Sequence, residues 1–164
     1  MKTEIKKLVI NLENCFKGKP WYGYSVLHKL NEIEFNLVNE SPLENTNTIA
    51  KIVQHMINWR IFAIEKIKGN EEFDIKLNTS DDWPETTVNS EKEWLHLINI
   101  LNDTQEELIE LLQSNDDEFL KWQTPGREYD YKFLVEGIIQ HDIYHLGQIA
   151  IVAKQAKIKV NLMN

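Results

Sequence analysis

Apolar residues recur at steps of three and four along most of this chain. Ile5, Leu8, Val9, Leu12 and Phe16 form the first such stripe and predict an amphipathic helix. Gly18 and then Pro20 close it in the usual order, glycine before proline. A second pattern, Tyr24, Leu27, Leu30 and Phe35, predicts a helix over about residues 23–38. The polar stretch Ser41–Asn47 contains Pro42 and reads as a loop, and Thr48 is placed to cap the next helix. That helix carries Ile49, Ile52, Val53, Met56, Trp59, Ala63 and Ile67 and ends at Gly69-Asn70.

Residues 71–88 show little periodicity and hold Pro84, which predicts a long excursion over one end of the fold, pinned by a buried Trp83. Loops of that length without structure of their own usually serve a function. Ser90-Glu91-Lys92-Glu93 fits a capping box, with Glu93 reaching back. The helix behind it runs through Trp94, Leu97, Ile98, Leu101, Leu108 and Leu112 to about Ser114. After a connection with the turn signal Thr124-Pro125-Gly126, Asp130 is placed to cap the last long helix. Its inner face reads Phe133, Leu134, Ile138, His141, His145, Ile149, Val152, and Lys157–Asn164 reads as a short extended piece or a frayed end. The expected fold is one all-α domain over residues 1–164. It is an antiparallel four-helix bundle with an extra N-terminal helix and long connections.

Composition agrees with long elements, since 6 glycines and 4 prolines in 164 residues allow few turns. Charge narrows the partners. A net charge of −8, with no basic cluster larger than Lys6-Lys7 or the lysines of 154–159, argues against nucleic acid and against an anionic membrane surface. Asp116-Asp117-Glu118 reads as a solvated helix end. The single cysteine, Cys15, allows no internal disulfide and no cysteine-based zinc site. It sits beside Leu12 and Phe16 and reads as a buried structural thiol. No signal peptide or membrane span is visible, so the expected location is a reducing cytoplasm.

The candidate chemistry lies in histidines on inward faces. His141 and His145 are four apart, which separates them by roughly 40° in azimuth and about 6 Å in rise, so both imidazoles reach one point. In an apolar stripe such a pair is costly unless its nitrogens find partners, and a metal is one such partner. His55, on the helix of Ile52 and Trp59, is positioned to complete a set of three from facing helices. Three imidazoles leave a coordination position open, as in catalytic sites, and do not by themselves select the ion. Spacing alone is equally compatible with exposed or internally satisfied histidines. His28 and His96 read as surface or packing residues. Asp142 is a candidate to orient an imidazole or to bond between helices, and Gln148 to face the site or to pack. Tyr144 reads as a dimer contact or simple packing, and Arg60 as a surface ion pair or a carboxylate binder.

The segment His141-Asp142-Ile143-Tyr144-His145-Leu146-Gly147-Gln148-Ile149 resembles the last-helix signature of the DinB (damage-inducible) superfamily. Residues Ile52–Trp59 resemble that family's histidine-bearing helix, and Pro20-Trp21 and Asp82-Trp83-Pro84 resemble motifs of one branch. The resemblance spans about Ile5 to Ala153. It implies a four-helix bundle, a divalent metal (zinc or nickel) on His55, His141 and His145, and a homodimer. It also implies a possible activity, transfer of a low-molecular-weight thiol of the bacillithiol kind to small electrophiles. Trp59 and Trp83 would form an apolar wall of that site. The alternative expectation is a non-enzymatic bundle that binds a metal or a small ligand.

Overall fold

The computed structural model describes residues 2–163. Five α-helices account for most of them: α1 (Thr3–Phe16), α2 (Val26–Asn31), α3 (Ile49–Ile67), α4 (Glu91–Ser114) and α5 (Tyr131–Met163). Short 3-10 turns lie at Phe35–Leu37 and Phe119–Lys121. Among the described residues the only β-type pairing is an isolated bridge between Gln123 and Asp130.

The start signals act as their chemistry requires. Thr48 accepts a hydrogen bond from the Lys51 amide at 3.2 Å, Ser90 from Glu93 at 3.2 Å, and Asp130 from Phe133 at 2.8 Å. The return arm of the capping box lands one residue early, with Glu93 accepting from the Asn89 amide at 2.7 Å. Helix α1 has no cap of its own; Asp117 supplies it from the far side of the chain. Its carboxylate accepts from the amides of Thr3, Glu4 and Ile5 at 2.7, 3.1 and 3.0 Å, so within the acidic run Asp117 is a cap, while Asp116 and Glu118 are exposed as expected.

Two elements differ from the periodicity. The second helix is one and a half turns, Val26–Asn31, followed by a 3-10 turn, because Val26, Leu30, Leu37 and Val38 are buried by a bent segment and not by a straight one. The expected extended or frayed tail is helical instead: α5 continues through Lys157, with Ala156 wholly buried and Lys157 and Lys159 paired to Glu34 and Glu40.

The core falls into two apolar clusters stacked along the bundle. One takes Ile5 to Leu12 of α1, Phe62 to Ile67 of α3, Leu108 and Leu112 of α4, and Leu134 to Ile138 of α5. The other takes Cys15 and Phe16, Ile49 to Ile57, Trp94 to Leu101, and Leu146 to Ala156. The order in which each helix visits the clusters gives its direction. Helices α1 and α5 run one way, and α3 and α4 run the other. Helices α3 and α5 pack antiparallel, as do α1 and α4, whereas α3 and α4 are parallel neighbours. Parallel neighbours need a connection that traverses the bundle length, which is why residues 68–90 are long.

The changeover between clusters is polar. On α3 it falls at Arg60, on α4 at Thr104 and Gln105, and on α5 at Asp142, all buried, with His141 and His145 on either side of Asp142.

Candidate metal centre

Helix α5 brings His141 and His145 to one face, and the antiparallel packing of α3 sets His55 opposite them. One ligand atom from each of the three lies within 4.8 Å of the others. His141 Nε2 is 3.0 Å from His55 Nε2 and 3.0 Å from His145 Nε2. His55 and His145 are buried and His141 is partly so.

The outer ring nitrogens decide the protonation state. His55 Nδ1 is 2.8 Å from the Asp82 carbonyl oxygen and 3.1 Å from Asp82 Oδ1, both acceptors, so Nδ1 carries the proton. His145 Nδ1 donates to Gln148 Oε1 at 2.7 Å. The Nε2 atoms of both rings are therefore lone pairs aimed inward. His141 has at most one proton on Nε2 and two acceptors at the same distance. Protein protons alone cannot give each contact its own proton: on His141 Nε2 one proton is shared by two acceptors, and on Nδ1 it leaves two pairs of lone pairs face to face at 3.0 Å. A cation in their midst resolves that repulsion, and nitrogen donors suit zinc, nickel, iron or copper. His141 Nδ1 is buried without a partner. The donor set thus fits a divalent ion, held by three neutral imidazoles with at least one position left for another ligand.

Electrostatics keep the rings neutral. Burial pushes His141 down to about 3, with His145, His55 and Arg60 adding to the effect. Burial takes His145 to about 4, and His55 is lowered for the same reason against the pull of Asp82. Neutral imidazole is the ligand form.

The excursion of residues 68–90 forms one wall. Asn78 adopts a positive φ of 61°, which asparagine tolerates, and turns the chain so that its amide meets Asp82 Oδ2 at 2.9 Å. Asp82 also accepts from the Trp59 indole at 2.9 Å, and the Asp81 carbonyl accepts from Asn58 at 2.9 Å. His55, Asn58 and Trp59 are one face of α3, so the loop is fastened along the helix that carries a ligand. Trp83 stacks flat on His55, centroids 3.7 Å apart and 7° from parallel. The expected buried-indole anchor is half right. Trp83 is half-buried, and the buried anchor is its neighbour Asp82. Periodicity could not reveal Asp82, because its role is fixed by contacts 23 and 27 residues away.

The other candidates separate. Gln148 faces the site and holds His145. Asp142 does not touch an imidazole; it pairs with Arg60, which also donates to Gln105. Arg60 is wholly buried, so it is neither a surface ion pair nor free to bind a carboxylate. Burial pushes the Asp142 carboxyl above its ordinary range, against the guanidinium beside it. Cys15 is buried and its thiol is pushed up to about 11 by burial, which leaves it unreactive. His28 and His96 lie at the surface, His28 stacked on Tyr24 at 4.6 Å. Tyr144 is exposed beside His145.

A helical bundle with three convergent histidines from two antiparallel helices defines a class of candidate metal-binding bundles. The sequence model of the DinB superfamily matches residues 25–149, and the chain belongs to that superfamily. Comparison with curated proteins and with solved structures gave no match. Among the described residues no helix is long and apolar enough to cross a membrane.

Proposed function

We propose that His55, His141 and His145 hold one divalent ion, zinc or nickel, and that the protein is a metal-dependent enzyme joining a small thiol to an electrophile. The observation that carries this reading is the inward convergence of three Nε2 atoms whose rings burial holds neutral, two of them fixed in orientation by hydrogen bonds on the far nitrogen. The ion would supply a Lewis acid that lowers the pKa of a thiol or water in the open position. The chain's own contribution is positional. Asp82 and Gln148 orient His55 and His145, Trp83 lies over the His55 ring, and Trp59 closes the side toward α5. Such outer partners commonly tune affinity 10–100-fold.

A second reading, a non-catalytic metal or ligand carrier, is favoured by the state of the nearby carboxylates. Asp82 is spent on His55, Trp59 and Asn78, and Asp142 on Arg60, so neither is free to move a proton. A homodimer and a cytoplasmic location belong to the same proposal. The dimer is supported by exposed Tyr144, Ile151 and Ile158, which recur one heptad apart on α5.

Elemental analysis of untagged protein tests the centre. About one zinc or nickel per chain, lost in His55→Ala and in His141→Ala, is expected. No ion after reconstitution with zinc, nickel, iron and manganese would sink it. Consumption of an electrophile with bacillithiol then separates the enzyme from the carrier.

A further inference from the structure

A pocket of about 200 Å³ opens beside the cluster, between the second half of α3 and the first half of α5. Its walls include Trp59, Phe62, Tyr129, Phe133 and Ile138, and His141 is part of the same lining, so one residue belongs to both the pocket and the triad. The lining is apolar. The Trp59 indole N–H is already bonded to Asp82 at 2.9 Å. The cations nearby are committed as well: Arg60 to Asp142, Arg127 to Asp74, and Lys66, whose ammonium lies over Phe62, to the carbonyls of Asn70 and Glu71. At the mouth Phe133 is 62% exposed, its ring 5.0 Å from Tyr129. A concave apolar surface with an exposed aromatic at its rim and a metal-type donor in its lining has the form of a ligand site.

We infer that this pocket receives an uncharged apolar group of the substrate, one aromatic ring or a short branched alkyl chain, and delivers the reacting atom to the histidine cluster. The inference rests on reading the cluster as the metal centre. Size sets the class, since an apolar cavity of about 150 Å³ accepts benzene. Charge sets it too for the part held against these walls, because a carboxylate or phosphate lodged there, short of the proposed ion, would lose its water and meet no free cation.

Gly137 offers a direct test. It lines the pocket, and a Cβ added there meets nothing within 4 Å, so a larger side chain grows into open space and not into the backbone. Fluorine NMR would follow the titration of zinc-loaded protein with trifluorotoluene, and of metal-free protein with trifluorotoluene and its charged counterpart para-trifluoromethylbenzoate, whose carboxylate would otherwise coordinate the ion. Saturable binding of trifluorotoluene is expected, and in metal-free protein it should be at least tenfold tighter than that of the benzoate. Gly137→Leu should weaken it tenfold or more with zinc content unchanged. Phe133→Asp, at an exposed position, should do the same and guards against a folding defect in the first variant. Replacing zinc by cobalt should shift the bound probe's resonance through the paramagnetic ion. No saturable binding, or equal binding by Gly137→Leu and Phe133→Asp, overturns the pocket. A bound probe unmoved by cobalt in cobalt-loaded protein overturns its service to the centre. A chain that takes up no ion but binds trifluorotoluene in a Gly137-dependent way overturns the metal reading and upholds the ligand class.

Discussion

His141 and Asp142 are adjacent in the chain and belong to two polar clusters of opposite design. Asp142 turns into the bundle and meets Arg60, which reaches Gln105 on α4; at both contacts donor faces acceptor, so the group is closed at its contacts, although Arg60 Nε, Gln105 Nε2 and Asp142 Oδ1 stay buried without a partner. His141 turns to the side and meets His55 and His145, two acceptors for which it has at most one proton, and the group is open. Both clusters span the same antiparallel pair, α3 and α5. The closed one ties the helices by its own charges. The open one has at most one proton for two contacts and is accounted for by something placed among its members. Three polar residues can therefore be a clasp or a receptacle, and donor–acceptor bookkeeping tells which.

The contrast can be broken deliberately, most strongly at the clasp. Asp142→Ala strands the buried Arg60 charge and should cost about 3–5 kcal/mol of folding stability, read by denaturant titration. His141→Ala, measured without metal, should cost less than about 1 kcal/mol or stabilise, since it removes a buried group that lacks complementary partners. Equal losses in the two variants would erase the distinction.

Acid should act on the receptacle next. In metal-free protein the folded-state values of His141 and His145 lie at about 3 and about 4, below the ordinary 6.5. The unfolded chain then binds more protons from about pH 6.5 down to about 4 for His145 and about 3 for His141, so stability is full above that window and falls as pH drops through it, at up to about 1.4 kcal/mol per pH unit for each histidine. His141→Ala/His145→Ala should flatten that slope, and a slope unchanged in the double variant would assign it elsewhere.

Asp82→Ala should weaken metal binding 10–100-fold through loss of the His55 orientation, measured by competition with a chelator. Asp82→Asn keeps the backbone carbonyl contact and a side-chain acceptor and should lose less. The smallest effect is at Gly137, where alanine removes backbone freedom in a helix and should add up to about 1 kcal/mol of stability while narrowing the apolar pocket.

The all-α class was legible because a bundle writes its core as a period near 3.6 in every long helix. Thr48, Ser90 and Asp130 announced three helix starts because a cap is a local bond between neighbours. His141 and His145 were legible as a pair for the same reason, since four residues on a helix fix their separation wherever the helix goes. The second helix was overread: Tyr24, Leu27 and Phe35 have helical spacing, but the chain bends after Asn31 to bury Leu37 and Val38.

The sequence by itself determined what depends on neighbours within a turn or two: helix identity, caps, and half of the histidine cluster. Only the tertiary structure decided the rest. It set α3 parallel to α4 and antiparallel to α5, brought Asp117 to the start of α1, buried Arg60 against Asp142, and folded Asp82 back to His55. Each of these joins residues whose separation along the chain carries no periodic signal, so their meeting is settled by how the apolar faces pack and which buried polar atoms must then find one another.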